Sequence, residues 1–212
     1  MLLAFDTATP AVTVALHDGE RVLSERTTVD AMRHGELLAP AIAAVLDEAG
    51  AVRQDVTAVA VGVGPGPFTG LRVGLVTART LGAVLDVPVY GVCTLDVLAA
   101  EAVDDGAVGG PFLVATDARR KEVYWARYDA EGRRLDGPHV AKPAEVATDL
   151  PVVGRGALLY PDRLARFTPP EHPSAATLAA VVTDERAELL DPEPMYLRRP
   201  DTMAPHQPKR VS

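Results

Sequence analysis

Residues 62–74 read GVGPGPFTGLRVG, and the fold turns on what these glycines do. The stretch follows an apolar run, VTAVAVGV (56–63), that has the character of a strand buried on both faces of a parallel sheet. It leads into an apolar helical run over 69–85. A strand, a glycine-rich turn and a helix in succession can place backbone N–H groups around an anion. The phosphate-loop pattern nevertheless fails, because the residue after Gly70 is Leu71 and not lysine. A G-x-G-x-x-G fingerprint fails too, with Pro67 standing at the third glycine. What remains is a weak anion-site reading over Asp6, Thr7, Gly64, Gly66 and Thr69. Beside it stands a purely geometric one, in which Pro65 and Pro67 stiffen the turn, Gly64 and Gly66 supply unusual backbone angles, and Thr69 caps the helix.

The helix itself carries Gly70, Gly74, Ala78 and Gly82 at four-residue spacing, a ridge with almost no side chain, while the rest of its girth is apolar. Upstream, 34–49 reads as a second helix with Leu37, Leu38, Ala41, Ile42, Val45 and Leu46 at helical spacing, Gly50 as its stop, and a kink or late start at Pro40. Two neighbouring helices with surplus apolar surface predict a subunit interface. Its expected residues are Leu38, Ala41 and Val45 on the first helix and Gly70, Arg72, Val73, Gly74, Thr77 and Ala78 on the second. The ridge is expected to admit a partner helix.

Working outward, 2–7, 12–17 and 21–29 are β-rich runs, the second pair joined by Asp18-Gly19, which predicts an antiparallel meander. A strand at 87–92 and a helix at 94–103 complete the first half. VDDGAVGGP (103–111) predicts the boundary between a domain of 1–103 and a smaller one of 104–200. In the second, 111–119 and 122–132 predict a hairpin, followed by a short helix near 143–149, a strand at 151–156 and a helix near 175–190. AFDTAT and VATDAR each end an apolar strand with an Asp, an internal echo, and Asp117 is placed to pair with Arg119.

The 212-residue chain carries a formal net charge of −8, which disfavours unaided binding of nucleic acid. Its last stretch, RRPDTMAPHQPKRVS, has four Lys/Arg against one Asp; residues 201–212 are expected to be a disordered basic tail. The single Cys93 sits in an apolar run as a structural thiol. The start of the chain lacks the pattern of a signal peptide, no apolar run reaches membrane-spanning length, and the expected location is the cytoplasm. The five histidines form no helical metal pair, no G-x-S-x-G elbow occurs, and no nucleophile–base–oxyanion set assembles; no catalytic residue, metal or cofactor is expected.

FDTATPAVTVAL at the start, HGELLAP at 34–40, GVGPGPFTGLRVG at 62–74, ATDARRKEVYWARY at 115–128 and EPMYLR at 193–198 together resemble the TsaB family, also called YeaZ. The resemblance implies an α/β fold of two domains, actin-like and sugar-kinase-like, with mixed sheets flanked by helices and a reduced second domain. It implies a non-catalytic partner in forming N6-threonylcarbamoyladenosine beside the anticodon of tRNAs that read codons starting with A. The implied partners are a catalytic TsaD-like subunit and a TsaE-like ATPase, with tRNA met only through the complex and a homodimer when the partner is absent. Where TsaD has a metal motif H-x-x-x-H, His34 is here followed four places on by Leu38, and Ala8 stands where kinase-type phosphate loops have glycine. The alternative is a nucleotide-binding hydrolase or kinase relic of the same fold, and a peptidase is the least supported reading.

Overall fold

The structure, a computed structural model, describes residues 1–198. The chain runs β1 (Leu2–Asp6), β2 (Ala11–His17), β3 (Val22–Val29), α1 (His34–Glu48), β4 (Ala58–Gly64), α2 (Phe68–Leu85), β5 (Val89–Cys93) and α3 (Thr94–Asp104). It continues β6 (Phe112–Asp117), β7 (Val123–Tyr128), β8 (Arg134–Ala141), β9 (Val152–Val153), α4 (Arg155–Leu159), β10 (Phe167–Thr168) and α5 (Ala175–Thr183).

The first sheet has the order β3-β2-β1-β4-β5, with β1 antiparallel to β2 and parallel to β4. β1 is central and buried on both faces, as its uninterrupted apolar character requires. Alternation still sorts its side chains. Leu3 and Phe5 join the core formed with α1 and α2, whereas Leu2 and the small Ala4 face α5. β3 forms the edge, exposed and carrying Glu25 and Arg26, side chains that discourage strand addition.

The second sheet, read β8-β7-β6-β9-β10, repeats the first position for position: a meander on one side of the central strand, parallel partners on the other. The echo between AFDTAT and VATDAR is therefore a repeat of hairpins, β1–β2 and β6–β7. The copy is reduced, because β9 and β10 have two residues each and α4 only five. Together these make the expected two-sheet α/β architecture.

The halves are stitched by the late chain. α5 packs on β1 and β2 of the first sheet. Its N-terminal groups are held by side chains of three elements: Ser174 N donates to Glu101 of α3 (2.9 Å), Ala175 N to Thr13 of β2 (3.0 Å), and Ala176 N to Glu25 of β3 (3.1 Å). Gly91 and Leu190 then exchange a pair of backbone bonds, and Met195 N donates to the Val63 carbonyl.

Several expectations need correction. α1 begins at His34 and runs through Pro40, with no late start; Pro40 and Glu36, whose carbonyl loses its partner, both face solvent. α2 starts at Phe68 with Pro67 at the cap and no side-chain cap bond, so Thr69 does not cap it. No helix forms over 143–149, and α5 stops at Thr183, ahead of Glu185 in the left-handed region (φ 54°). β8 is an unexpected strand because Gly137-Pro138 reads as a turn; it is tolerated at a sheet edge where the pairing register shifts. α2 has the length and composition of a membrane-spanning helix, contrary to the reading above, yet it packs one face on β4. The expected basic tail, 201–212, lies outside the described residues.

Two outcomes follow from this packing. A Cβ at Gly66 would stand 2.2 Å from the Ala8 carbonyl oxygen, whereas one at Gly109 would meet nothing within 4 Å. Gly66→Ala is expected to lower unfolding stability by about 1–3 kcal/mol, and Gly109→Ala to change it by less than ~0.5 kcal/mol; equal urea midpoints for the two would contradict the packing. Burial pushes Glu101 up to about 7, against the Ser174 N–H bond that favours its charge. A carboxyl raised on folding contributes stability below its unfolded range near 4.5 and loses it as pH rises through 7. The melting temperature of Glu101→Gln relative to wild type is therefore expected to climb from pH 5 to pH 8, and a flat difference would show that Glu101 titrates normally.

Candidate functional site

The glycine-rich stretch is moulded around the turn between β1 and β2. A Cβ on Gly62 would lie 1.9 Å from Asp6 Oδ2, one on Gly70 would lie 2.4 Å from the Thr7 carbonyl oxygen, and one on Gly74 would lie 2.5 Å from Thr7 Oγ1. With Gly66 against Ala8, four glycines of the motif make room for three consecutive residues of one turn. Only glycine permits this approach. The turn is also bonded in place. Thr7 Oγ1 donates to the Gly70 carbonyl (2.8 Å) and accepts from Gly74 N (3.1 Å), and the Thr9 carbonyl lies 2.8 Å from His34 Nε2 at the start of α1.

Asp6 is wholly buried at the centre of this packing. Its Oδ1 accepts from Ala8 N (2.6 Å) and its Oδ2 from the Thr94 hydroxyl (2.7 Å); Thr94 in turn accepts from Gly64 N (3.2 Å). Burial pushes its carboxyl up to about 6, while the bonds from Ala8 and Thr94 pull the other way. One carboxylate thus ties β1 to β4 and α3. It is a structural linchpin, and its oxygens do not face solvent.

The expected anion set is accordingly not assembled as a surface. Asp6, Thr7, Gly64 and Gly66 are buried, and only Thr69 is exposed. The expected interface divides in a similar way. The small-residue ridge faces inward: Gly70 and Gly74 press on Thr7, Ala78 lies in the core, and Gly82 meets Val89. Leu38 and Val45 are core residues as well. The ridge admits the protein's own β1–β2 turn and β5, and not a partner helix. Ala41, Arg72, Val73 and Thr77 remain at the surface.

What α2 presents outward, beside α1, is a different apolar strip. Val76 is 58% exposed and Val84 73%, on the face of α2 that also carries Arg72 and Val73. The two helices lie side by side, Gly35 of α1 facing the Val73 side chain. Sequence periodicity marks both helices as rich in apolar residues but does not say which face of α2 is buried, since glycine and alanine fit either role. Cys93 is fully buried, its thiol pushed up to about 12 by desolvation. Asp117 and Arg119 do pair, at 3.5 Å. Among the described residues no three His, Cys, Asp or Glu side chains converge as metal ligands. A second group of residues escaped the sequence reading: Phe68 and Tyr196 stack with centroids 5.6 Å apart beside the turn Arg119–Lys121. The motifs GVGPGPFTGLRVG, ATDARRKEVYWARY and EPMYLR contain these residues, but nothing local indicates that they meet.

Comparison with known proteins bears on the site. The family model for TsaD, tRNA N6-adenosine threonylcarbamoyltransferase, matches residues 21–158. An uncharacterized protein of Mycobacterium tuberculosis is 46% identical over 94% of this chain and 92% of its own length. The tRNA threonylcarbamoyladenosine biosynthesis protein TsaB of Escherichia coli is 38% identical over 61% of this chain and 55% of its own, so the match spans about half of that relative. The solved structure of YeaZ from Pseudomonas aeruginosa superposes with a TM-score of 0.77 at 32% identity, covering 92% of this chain and 99% of that one. With close agreement in both sequence and architecture over nearly the whole of that structure, the chain belongs to the TsaB (YeaZ) family.

Proposed function

We propose that this chain is a non-catalytic partner subunit in the formation of N6-threonylcarbamoyladenosine on tRNA, and that it docks a TsaD-like catalytic subunit through the outer faces of α1 and α2. The observation that carries this reading is the exposed strip of Val76 and Val84 beside Arg72, Val73, Thr77 and Ala41. Apolar side chains exposed in a row on α2, beside the packed helix α1, are stabilised by burial against another protein. The family's name supplies the reaction.

Transfer of a threonylcarbamoyl group to an adenine nitrogen needs an activated acyl donor, donors to stabilise charge on the reacting carbonyl, and a means of holding the base. Asp6, the carboxylate most suggestive of a phosphate or metal site, has its oxygens bonded to Ala8 and Thr94 inside the fold. That geometry supports a positioning role for the chain and disfavours the kinase-relic reading, which requires Asp6 to face a nucleotide. In this reading the N-terminal half, 1–103, is the docking half; the protein is cytoplasmic; a TsaE-like ATPase serves the complex; and without its partner the same strip closes a twofold homodimer.

Val76→Asp is expected to fold with an unchanged melting temperature and to lose co-purification of a TsaD-like protein from native lysate. Retention of the partner at wild-type yield would move the interface elsewhere. In cells, removal of the protein should abolish the modified nucleoside in digested tRNA, measured by mass spectrometry. Asp6→Asn, which keeps an oxygen for Ala8 N, should leave the nucleoside largely intact. Its loss in a folded, partner-bound Asp6→Asn protein would mean that Asp6 takes part in chemistry.

A further inference from the structure

The outer surface of α1 and α2 carries little charge, and along most of its length that charge has one sign. Between Leu37 and Leu46 α1 has no charged residue; its acids, Glu36, Asp47 and Glu48, lie in the first and last turns, and Glu48 is paired with Arg26 of β3. The 18 residues of α2 include two cations, Arg72 and Arg79, and no acid. Both arginines are exposed. At spacings of four and three residues they bracket Val76 on one face of the helix, so the apolar strip, 58% exposed at Val76, lies between two guanidinium groups.

Neither arginine pairs with a carboxylate among the described residues. Elsewhere in this acidic chain Arg26, Arg33, Arg133 and Arg186 each meet an Asp or Glu side chain. Arg72 is instead held against a ring: its guanidinium carbon lies 5.0 Å from the centroid of Phe68, which stacks on Tyr196 at 5.6 Å. A ring face attracts the cation without neutralising it, and here it steadies a fork of donors beside the apolar strip. Burial of Val76 against another surface takes both arginines with it. A guanidinium moved out of water without a carboxylate is strongly destabilising, whereas one met by a carboxylate at two N–H groups is stabilised.

We propose that the protein surface that covers α2 is acidic: an apolar groove flanked by carboxylates that receive Arg72 and Arg79. This rests on the reading of α2 as a docking helix and adds the chemistry of the surface it meets. A second copy of the chain matches that description poorly. Its own α2 brings the same two cations, so a twofold pairing of α2 with α2 gathers four guanidinium groups and no acid from either helix. Self-association is therefore the weaker state, and the strip is kept for a different chain.

The test measures the dissociation constant between the full-length chain and a TsaD-like subunit of the same organism by titration calorimetry, from about 50 to about 500 mM salt. Affinity is expected to fall roughly tenfold over that range, as screening weakens the opposed charges. Arg72→Gln with Arg79→Gln should weaken binding about tenfold at the low-salt end and remove most of the salt dependence. Arg72→Glu with Arg79→Glu should weaken it about a hundredfold. Arg72→Lys with Arg79→Lys, which keeps the charge, should retain the salt dependence and guards against misfolding. Wild-type affinity in the Gln and Glu pairs, or affinity that rises with salt, would overturn the proposal. So would self-association tighter than partner binding at low salt. Retention of the chain on phosphatidylglycerol vesicles, abolished in the Glu pair, would overturn it too by marking a membrane surface in place of a protein. Loss of the partner in Val76→Asp with wild-type binding in the Gln and Glu pairs would keep the docking face and reject its charge; wild-type binding in all of them would reject the docking face as well.

Discussion

The structure depends on the interlock between the β1–β2 turn and the glycines that follow β4. Asp6, Thr7 and Ala8 occupy space that Gly62, Gly66, Gly70 and Gly74 leave empty, and the Asp6 carboxylate closes the contact by bonding Ala8 N and Thr94. Because that carboxylate is desolvated, its charge is expensive, and its two hydrogen bonds offset only part of the cost. This contact joins the first sheet to α2 and α3, which also pack on its strands directly.

The consequence reaches the surface. With its small-residue ridge committed inward, α2 turns its β-branched residues Val73, Val76 and Val84 outward, alongside α1. The second sheet copies the strand order of the first with shortened parallel strands, and α5 crosses back to cover the first sheet's other face. The outer faces of α1 and α2 are thereby left uncovered by the rest of the described chain, and the turn between β6 and β7 is brought against the start of α2.

Much of the fold was legible in the sequence. The meander, the buried strand, both long helices and the repeated hairpins carry period-2 or period-3.6 patterns that packing did not override. β8 was not legible, because Gly137-Pro138 within an edge strand is locally indistinguishable from a loop. The facing of the Gly70–Gly74–Ala78–Gly82 ridge was not legible either. A bare ridge signals close approach without saying of what, and the approaching group, Thr7, lies more than sixty residues away in the chain. The same limit hid the meeting of Phe68 with Tyr196, and no residue type announces three left-handed backbone angles at Arg119–Lys121. Family resemblance compensated for part of this, since it implied the two-sheet α/β architecture.

The central claim is that the outer faces of α1 and α2 meet the catalytic subunit while the glycine-lined interlock stays internal. Hydrogen–deuterium exchange of the chain, alone and mixed with a TsaD-like subunit, tests it most directly. The account predicts added protection confined to peptides spanning α1 and α2, with β7, β8 and α4 unchanged. Protection centred on β7, β8 and α4, with α1 and α2 exchanging as in the free chain, would contradict it.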